Sequence, residues 1–427
     1  MSSRESVVTS STRVVPINRL LHAPCTHVVH TRSRLSSISA HMFAPAILLA
    51  LAVTAAARNC IDITVPVKLR ARNVYYDVEP PKNEIDLVNF ILDFSRRQPV
   101  LPRTLAKEPK VYRLATTYCW PDSGPGQRLQ ILTHGIGFDR NYWDWHNGRP
   151  DNGYRYSYVN HALARGYSTL SWDRLGIGAS SHGDPINEMQ LFLEMDALLA
   201  LTGWVRRGGL PDRQHQRSKF VHVGHSYGSA LTTVVTTENP AMTDCVVLTG
   251  FSQVYKFLPT FILASNLVSV KELPGLAKHY ENGYVAPNSG IGIQTNFFAP
   301  HNFDPAVLQA ATEKRQPASL GELMTLNYVN NKSKFPGPVL LITGDRDIPF
   351  CGGNCSNTPY FNVKARNLLE SSRPNFASSS VFETVALHKA GHALNLEYTA
   401  PVAYKIILDF TDKHLSSQGY TPMSPYA

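Results

Sequence analysis

The sequence predicts an α/β protein built on a mostly parallel sheet with helices packed on both faces. Three observations carry that expectation. Short apolar stretches with β-branched residues (220–223, 245–248, 339–342) have the length of buried strands and are too short for helices. Segments with helical apolar spacing alternate with them, as a sheet covered on both sides requires. One of the runs also ends in Gly224-His225-Ser226-Tyr227-Gly228 and passes straight into residues 229–235, which read as the first turns of a helix.

At 427 residues the chain is long for one domain and short for three. Its 43% hydrophobic and 17% charged residues are those of a globular protein with a sizeable core. The net charge is +9, but residues 1–41 hold five arginines against one glutamate, a net +4 of that total. The rest has no long basic run, so the clustered basic face of a nucleic-acid binder is not expected. Residues 42–57 are an uncharged apolar run ending in small residues. That run is too short to span a bilayer comfortably and fits a secretory signal with cleavage near Ala57. Its position after 41 residues rich in Ser and Arg admits two other readings: a true start at Met42, or a membrane-anchoring or organelle-targeting leader. Secretion is the expected localisation.

The cysteines agree with an oxidising compartment. Cys351-Gly-Gly-Asn-Cys355 suits a small disulfide loop, and Cys60 can pair with Cys119, leaving Cys245 a buried thiol. Sequence alone does not fix that connectivity. A zinc site at Cys351 and Cys355 lacks a second Cys or His pair, so no metal is expected. Asn331-Lys-Ser and Asn354-Cys-Ser are glycosylation sequons if the chain is secreted.

In chain order, residues 60–78 alternate apolar and polar and read as a peripheral strand. Residues 83–97 have helical spacing, and Pro99, Pro102 and Pro109 then break the chain. Residues 111–120, 121–126 and 128–132 read as strand, turn and strand, a hairpin entering the main sheet. A helix closing at Arg165-Gly166 leads to a strand over 167–172, and 186–202 reads as a long amphipathic helix. Strands over 245–248 and 339–342 follow. Between Gly250 and Phe335 the alternation lapses into helix-like segments (257–270, 305–312, 320–328) separated by Pro, Gly and Asn. The expected organisation is a core over 58–250 and 336–427, interrupted by a helical cap over 251–335 where active-site loops gather. No internal repeat appears.

The chemistry centres on Ser226. A strand that turns directly into a helix cramps its central residue, and glycines two positions away on either side relieve the collision. The serine hydroxyl is then held above the sheet beside the positive end of a helix. It needs a base, and the base needs an orienting carboxylate. Downstream, residues 339–344 run into Asp345-Arg-Asp347, and Asp347 lies farther out of the sheet; Asp345 is the alternative and suits a turn former. His392, after Gly391 and before the last helix, is placed to reach over the sheet edge as the base. His388 suits a structural role, His222 lies within a strand, His225 adjoins the nucleophile and His414 falls in the final helix. The oxyanion donors expected are the backbone N–H groups of Tyr227 and of Ile136, in the loop His134-Gly135-Ile136-Gly137. That loop lacks the Lys-Ser/Thr of a P-loop and the spacing of a dinucleotide fold. A second glycine loop, Asp173-Arg-Leu-Gly176-Ile-Gly178-Ala-Ser180, reads as a tight turn beside the site.

These five motifs, in this order over roughly residues 110–415, resemble the α/β-hydrolase superfamily, in its capped branch of esterases and lipases. The segment Cys60-Ile-Asp-Ile-Thr-Val-Pro-Val is similar to that of secreted fungal members. The resemblance implies an eight-stranded, mostly parallel sheet, no cofactor, and a Ser226–His392–Asp347 triad. It implies a serine hydrolase that cleaves a carboxylic ester through an acyl-enzyme. Lactonases, thioesterases, carbon–carbon bond hydrolases, peptidases and acyltransferases share the triad, and a binding protein on the same fold is the non-catalytic alternative. Epoxide hydrolases and haloalkane dehalogenases use a carboxylate nucleophile, which Ser226 argues against. Phe257, Phe261, Leu267, Phe297 and Phe298 suit either an apolar substrate pocket or the cap's own core. The expected partner is a small molecule with an apolar acyl or alcohol part.

Overall fold

The computed structural model describes residues 58–70, 72–93, 96, 99–100, 108–126, 128–145, 155–211, 213–329, 332–359 and 364–415. The leader over 1–41, the apolar run 42–57 and the sequon at Asn331 lie outside the described residues.

Eleven strands occur among the described residues: β1 (Arg58–Leu69), β2 (Lys110–Pro121), β3 (Arg128–Thr133), β4 (Ser168–Trp172), β5 (Lys219–His225), β6 (Cys245–Thr249), β7 (Leu267–Ser269), β8 (Tyr284–Pro287), β9 (Ala318–Ser319), β10 (Val339–Gly344) and β11 (Phe382–Leu387). Eight of them form one sheet in the order β1-β2-β4-β3-β5-β6-β10-β11. From β4 to β11 every neighbouring pair is parallel. Every residue of β3, β4, β6 and β10 is buried, the result of covering both faces of a parallel sheet. At the edge, β1 and β2 are antiparallel, and β1 alternates exposed residues with buried Val65, Val67 and Leu69. This edge is also where Cys60 lies in register with Cys119 and is disulfide-bonded to it. Cys351 and Cys355 form the second disulfide, and Cys245 is a buried free thiol.

Three expectations are corrected. Strands β2 and β3 are consecutive but are not a hairpin, because β4 lies between them, antiparallel to β2 and parallel to β3. The expected helix over 186–202 begins later, at Leu191, and runs to Arg206. Gln190 is held out of it by bonding both the N–H and the C=O of Val74. That helix is not amphipathic: Leu191, Phe192, Leu193, Glu194 and Met195 are all buried in succession. Finally, the segment between β6 and β10 is not purely helical. Its helices (Leu258–Ser265, Gly290–Phe297, Pro305–Glu313, Leu320–Thr325) are joined by a small antiparallel sheet, β7-β8-β9.

Strand order positions the site. The chain runs from β3 to β4 on one side, then crosses back past β3 to β5 on the other. At such a reversal the loops leaving the two neighbouring strands diverge and open a crevice at their carboxyl ends. The loops after β3 and β5 are those of Ile136 and Ser226.

Candidate active site

Ser226 occupies the single-residue turn between β5 and the helix Tyr227–Glu238. Its backbone has φ +54° and ψ −116°, a strained conformation for a residue with a side chain. Such strain costs about 1–3 kcal/mol and persists only where the surroundings enforce it. Here they do. The Ser226 N–H donates to Thr249 O at 2.9 Å, locking the turn to β6. The flanking glycines are needed for close approach: a methyl group on Gly224 would lie 2.5 Å from Gly228 O, and one on Gly228 only 2.2 Å from Thr133 O. The loop after β3 crosses just above, so near that a methyl on Gly135 would lie 2.8 Å from Ser226 Cβ. Ile136 and Tyr227 thus line the same cavity as Ser226.

Asp347 and His392 meet from adjacent parallel strands. β10 and β11 are paired so that Gly344 lies opposite Leu387, which brings the loops beyond them to one end of the sheet. Asp347 Oδ2 accepts from His392 Nδ1 at 2.8 Å, with both side chains fully buried. The same carboxylate accepts from Thr343 Oγ1 at 2.5 Å, and its Oδ1 accepts from the Phe350 N–H at 2.7 Å. These bonds fix its orientation and leave the imidazole with its proton on Nδ1. His392 Nε2 is buried and has no hydrogen-bond partner among the described residues, so the bond to the Ser226 hydroxyl is not formed in this structure. The ring of His225, the residue before Ser226, has its centroid 4.9 Å from that of His392.

The alternative acid goes elsewhere. Asp345 accepts from His388 Nδ1 at 2.9 Å and from the Lys389 N–H at 3.0 Å, on the surface. His222 is buried in β5 against Thr202, and desolvation pushes it down to about 3. His225 is stacked on Tyr142 at 4.3 Å; burial first, then the nearby His392, holds it well below the ordinary imidazole range.

A buried carboxylate that carried no sequence signal braces the histidine loop. Glu397 accepts from the Gly391 N–H at 2.7 Å, the Ala299 N–H at 2.6 Å and Asn302 Nδ2 at 3.1 Å. It therefore ties the inserted segment to the residue preceding His392. Desolvation pushes this carboxyl up to about 8 against the pull of those three donors.

The cavity at Ser226 is narrow and apolar, with Phe251, Phe261, Leu326 and Phe350 in its walls. It shares Tyr255, Leu258, Phe261 and Leu326 with a larger cleft of about 280 Å³ that reaches Ile91 and Leu92. Of the aromatic and aliphatic candidates in the insertion, Phe261 lines both. Phe297 and Leu267 line a third, neighbouring cavity, Phe298 packs on Phe303, and Phe257 abuts Gly352. No cluster of metal-ligating side chains occurs among the described residues, and no described helix is long and apolar enough to cross a membrane.

Several solved structures are similar to this chain at low identity. A thermophilic esterase from Thermogutta terrifontis is 12% identical, covering 82% of this chain and 99% of its own, with a TM-score of 0.48. A monoacylglycerol lipase from Paleococcus ferrophilus is 16% identical over 68% of this chain and 96% of its own, with a TM-score of 0.43. An epoxide hydrolase from Vigna radiata is 15% identical over 71% and 95%, with a TM-score of 0.44. No curated protein matches the chain. The sequence pattern of the alpha/beta hydrolase family, in contrast, matches residues 130–404, from the middle of β3 into the last helix. With well over half of the sequence matched, this chain belongs to the alpha/beta hydrolase family.

Proposed function

We propose that the protein is a serine hydrolase that cleaves a carboxylic ester with an apolar acyl or alcohol part. The observation that carries the reading is the buried Asp347–His392 pair, together with a serine strained into the turn that follows His225. In the resting state His392 Nε2 has no partner among the described residues, so its bond to the Ser226 hydroxyl must form as substrate enters. His392 then takes the hydroxyl proton as Ser226 attacks the carbonyl carbon. The backbone N–H groups of Ile136 and Tyr227 receive the developing oxyanion, a contribution of about 2.7–4 kcal/mol per donor in comparable sites. The imidazolium returns its proton to the leaving alcohol. A water, deprotonated by His392, hydrolyses the acyl-enzyme and frees Ser226.

The apolar walls beside Ser226 and the cleft continuous with them favour a hydrocarbon group on the substrate. The inserted segment supplies much of that lining and acts as a cap. The test is labelling with a fluorophosphonate probe, together with turnover of aryl esters of graded chain length. Ser226→Ala should abolish both while leaving the thermal unfolding midpoint near that of the wild type. Retained turnover would refute the assignment. Lactones, thioesters and an added alcohol acceptor in the same screen separate the ester reading from the other triad chemistries.

A further inference from the structure

One cluster of buried charges is not used by this mechanism. Arg174, Glu194 and Glu322 are all fully buried, and one guanidinium nitrogen, Nη1, meets both carboxylates. It lies 2.6 Å from Glu194 Oε2 and also donates to Glu322 Oε1. Burial and the adjacent Glu322 carboxylate push the Glu194 carboxyl well up, against the opposing pull of Arg174. Two carboxylates on one cation is more than charge neutralisation needs, and the reason lies in what each partner belongs to. Glu194 is in the core helix Leu191–Arg206, whereas Glu322 is in the inserted segment, on the helix Leu320–Thr325. Ser319 fixes Glu322 there through a reciprocal pair of bonds, Ser319 N–H to Glu322 Oε2 at 2.6 Å and Glu322 N–H to Ser319 Oγ at 3.0 Å.

From Arg174 two paths lead to the oxyanion donors. Its backbone N–H donates to His134 Nε2 at 3.0 Å, which leaves the His134 proton on Nδ1, where it donates to Gly135 O at 2.9 Å. The next residue is Ile136. The guanidinium carbon of Arg174 lies 4.5 Å above the ring of Tyr227, the other donor residue, whose hydroxyl donates to Glu194. We propose that Arg174 is a positioning residue for both oxyanion donors, and that Glu322 makes their alignment depend on the seating of the inserted segment. The proposal rests on the serine-hydrolase reading of the same site. When the insertion is displaced, Arg174 loses one of its two anchors, and the loop of Ile136 and the ring of Tyr227 lose the surface they rest on. A closed cap is then the state in which the hole is aligned.

Glu322→Gln removes the charge at nearly constant shape, and Arg174→Lys keeps the cation but loses the planar stack on Tyr227. Both are measured for kcat and KM on an aryl ester, with thermal unfolding as a check on folding. The expected result is kcat about tenfold to a hundredfold lower with KM within about threefold, the signature of lost transition-state alignment. Wild-type kcat in either folded variant, or a raised KM with kcat unchanged, overturns the proposal. Ser319→Ala, which removes the hydroxyl that accepts from the Glu322 N–H and donates to Met189 O at 2.7 Å, is the mild member of the set. If the other two do not fold, it decides: lower kcat at constant KM supports the coupling and wild-type kcat overturns it. Ser226→Ala is run alongside. Turnover that survives it means the serine-hydrolase reading has failed, whereas Ser226-dependent turnover makes the other variants report on the coupling alone.

Discussion

Two Asp–His pairs sit side by side at one end of the sheet, and they differ in nearly everything except their bond length. Asp345–His388 and Asp347–His392 have N···O distances of 2.9 and 2.8 Å. Both acids follow β10, two residues apart, and both histidines follow β11, four residues apart. The His388 side chain is 76% exposed, however, whereas that of His392 is fully buried. A pair of charges 4 Å apart is worth about 1 kcal/mol in water and about 4 kcal/mol at the effective dielectric of a protein surface. Asp347 also receives the Thr343 hydroxyl and the Phe350 N–H, so its carboxylate cannot rotate away from the imidazole. A hydrogen bond alone therefore does not mark the site. What separates the two pairs is exclusion of water and a carboxylate held from three directions.

The sharpest way to break this comparison is to make the same substitution in both acids. Asp347→Asn keeps the shape but turns an N–H toward His392, which favours the tautomer whose Nε2 already carries a proton. That nitrogen can then no longer accept one from Ser226. The expected loss in kcat is about 10⁴-fold, as in other triads, while Asp345→Asn should leave kcat within a factor of two or so. Steady-state kinetics on one aryl ester decides it, and equal losses would mean that the buried pair has no special role.

A smaller effect is expected one layer out, at Glu397. Its carboxyl is pushed up to about 8 in the folded protein, well above its ordinary value of 4.5. The folded state therefore binds the proton more tightly than the unfolded chain does. The stabilisation this gives is fully present below about pH 4.5 and is lost as pH rises through about 8. Glu397→Gln cannot titrate and should flatten that part of the stability profile, measured as unfolding midpoint against pH. Because Gln also replaces one acceptor with a donor, the Gly391 and Ala299 N–H groups cannot both stay bonded. A drop in kcat should accompany the flatter profile.

The contrast between the two pairs also bears on what the amino-acid order reveals. Asp347 and Asp345 could be ranked because their distance past Gly344 differs, and the structure brings Asp347 together with His392. The parallel sheet was legible for the same kind of reason: buried strands such as Val339–Gly344 are continuous apolar runs. What escaped notice depends on distant partners. The insertion of β4 between β2 and β3 is a pairing choice, and the turn at 121–126 looks the same either way. β7 and β9, of three and two residues, are too short to show any alternation. Glu194 did leave a trace, as a lone charge in the buried run Leu191–Met195, but nothing local points to Arg174 or to Glu322 across 128 residues of chain. Glu397 left none, since its three donors come from Gly391, Ala299 and Asn302.

The smallest expected effect completes the comparison. His388→Ala removes the exposed half of the surface pair, and Asp345 keeps the Lys389 N–H at 3.0 Å on its side chain and the Cys355 N–H at 3.0 Å on its backbone carbonyl. Exposed ion pairs contribute about 0–1 kcal/mol, and salt screens them over roughly 10 Å at 0.1 M. The unfolding free energy should therefore change by less than about 1 kcal/mol, with the difference shrinking as salt is added. Turnover should stay at the wild-type level, because the Asp347–His392 contact lies on the buried side of the same two loops and shares no hydrogen bond with His388. A large loss of activity in this variant would mean that the two loops move as one unit, and that the outer pair helps to set the position of the inner one.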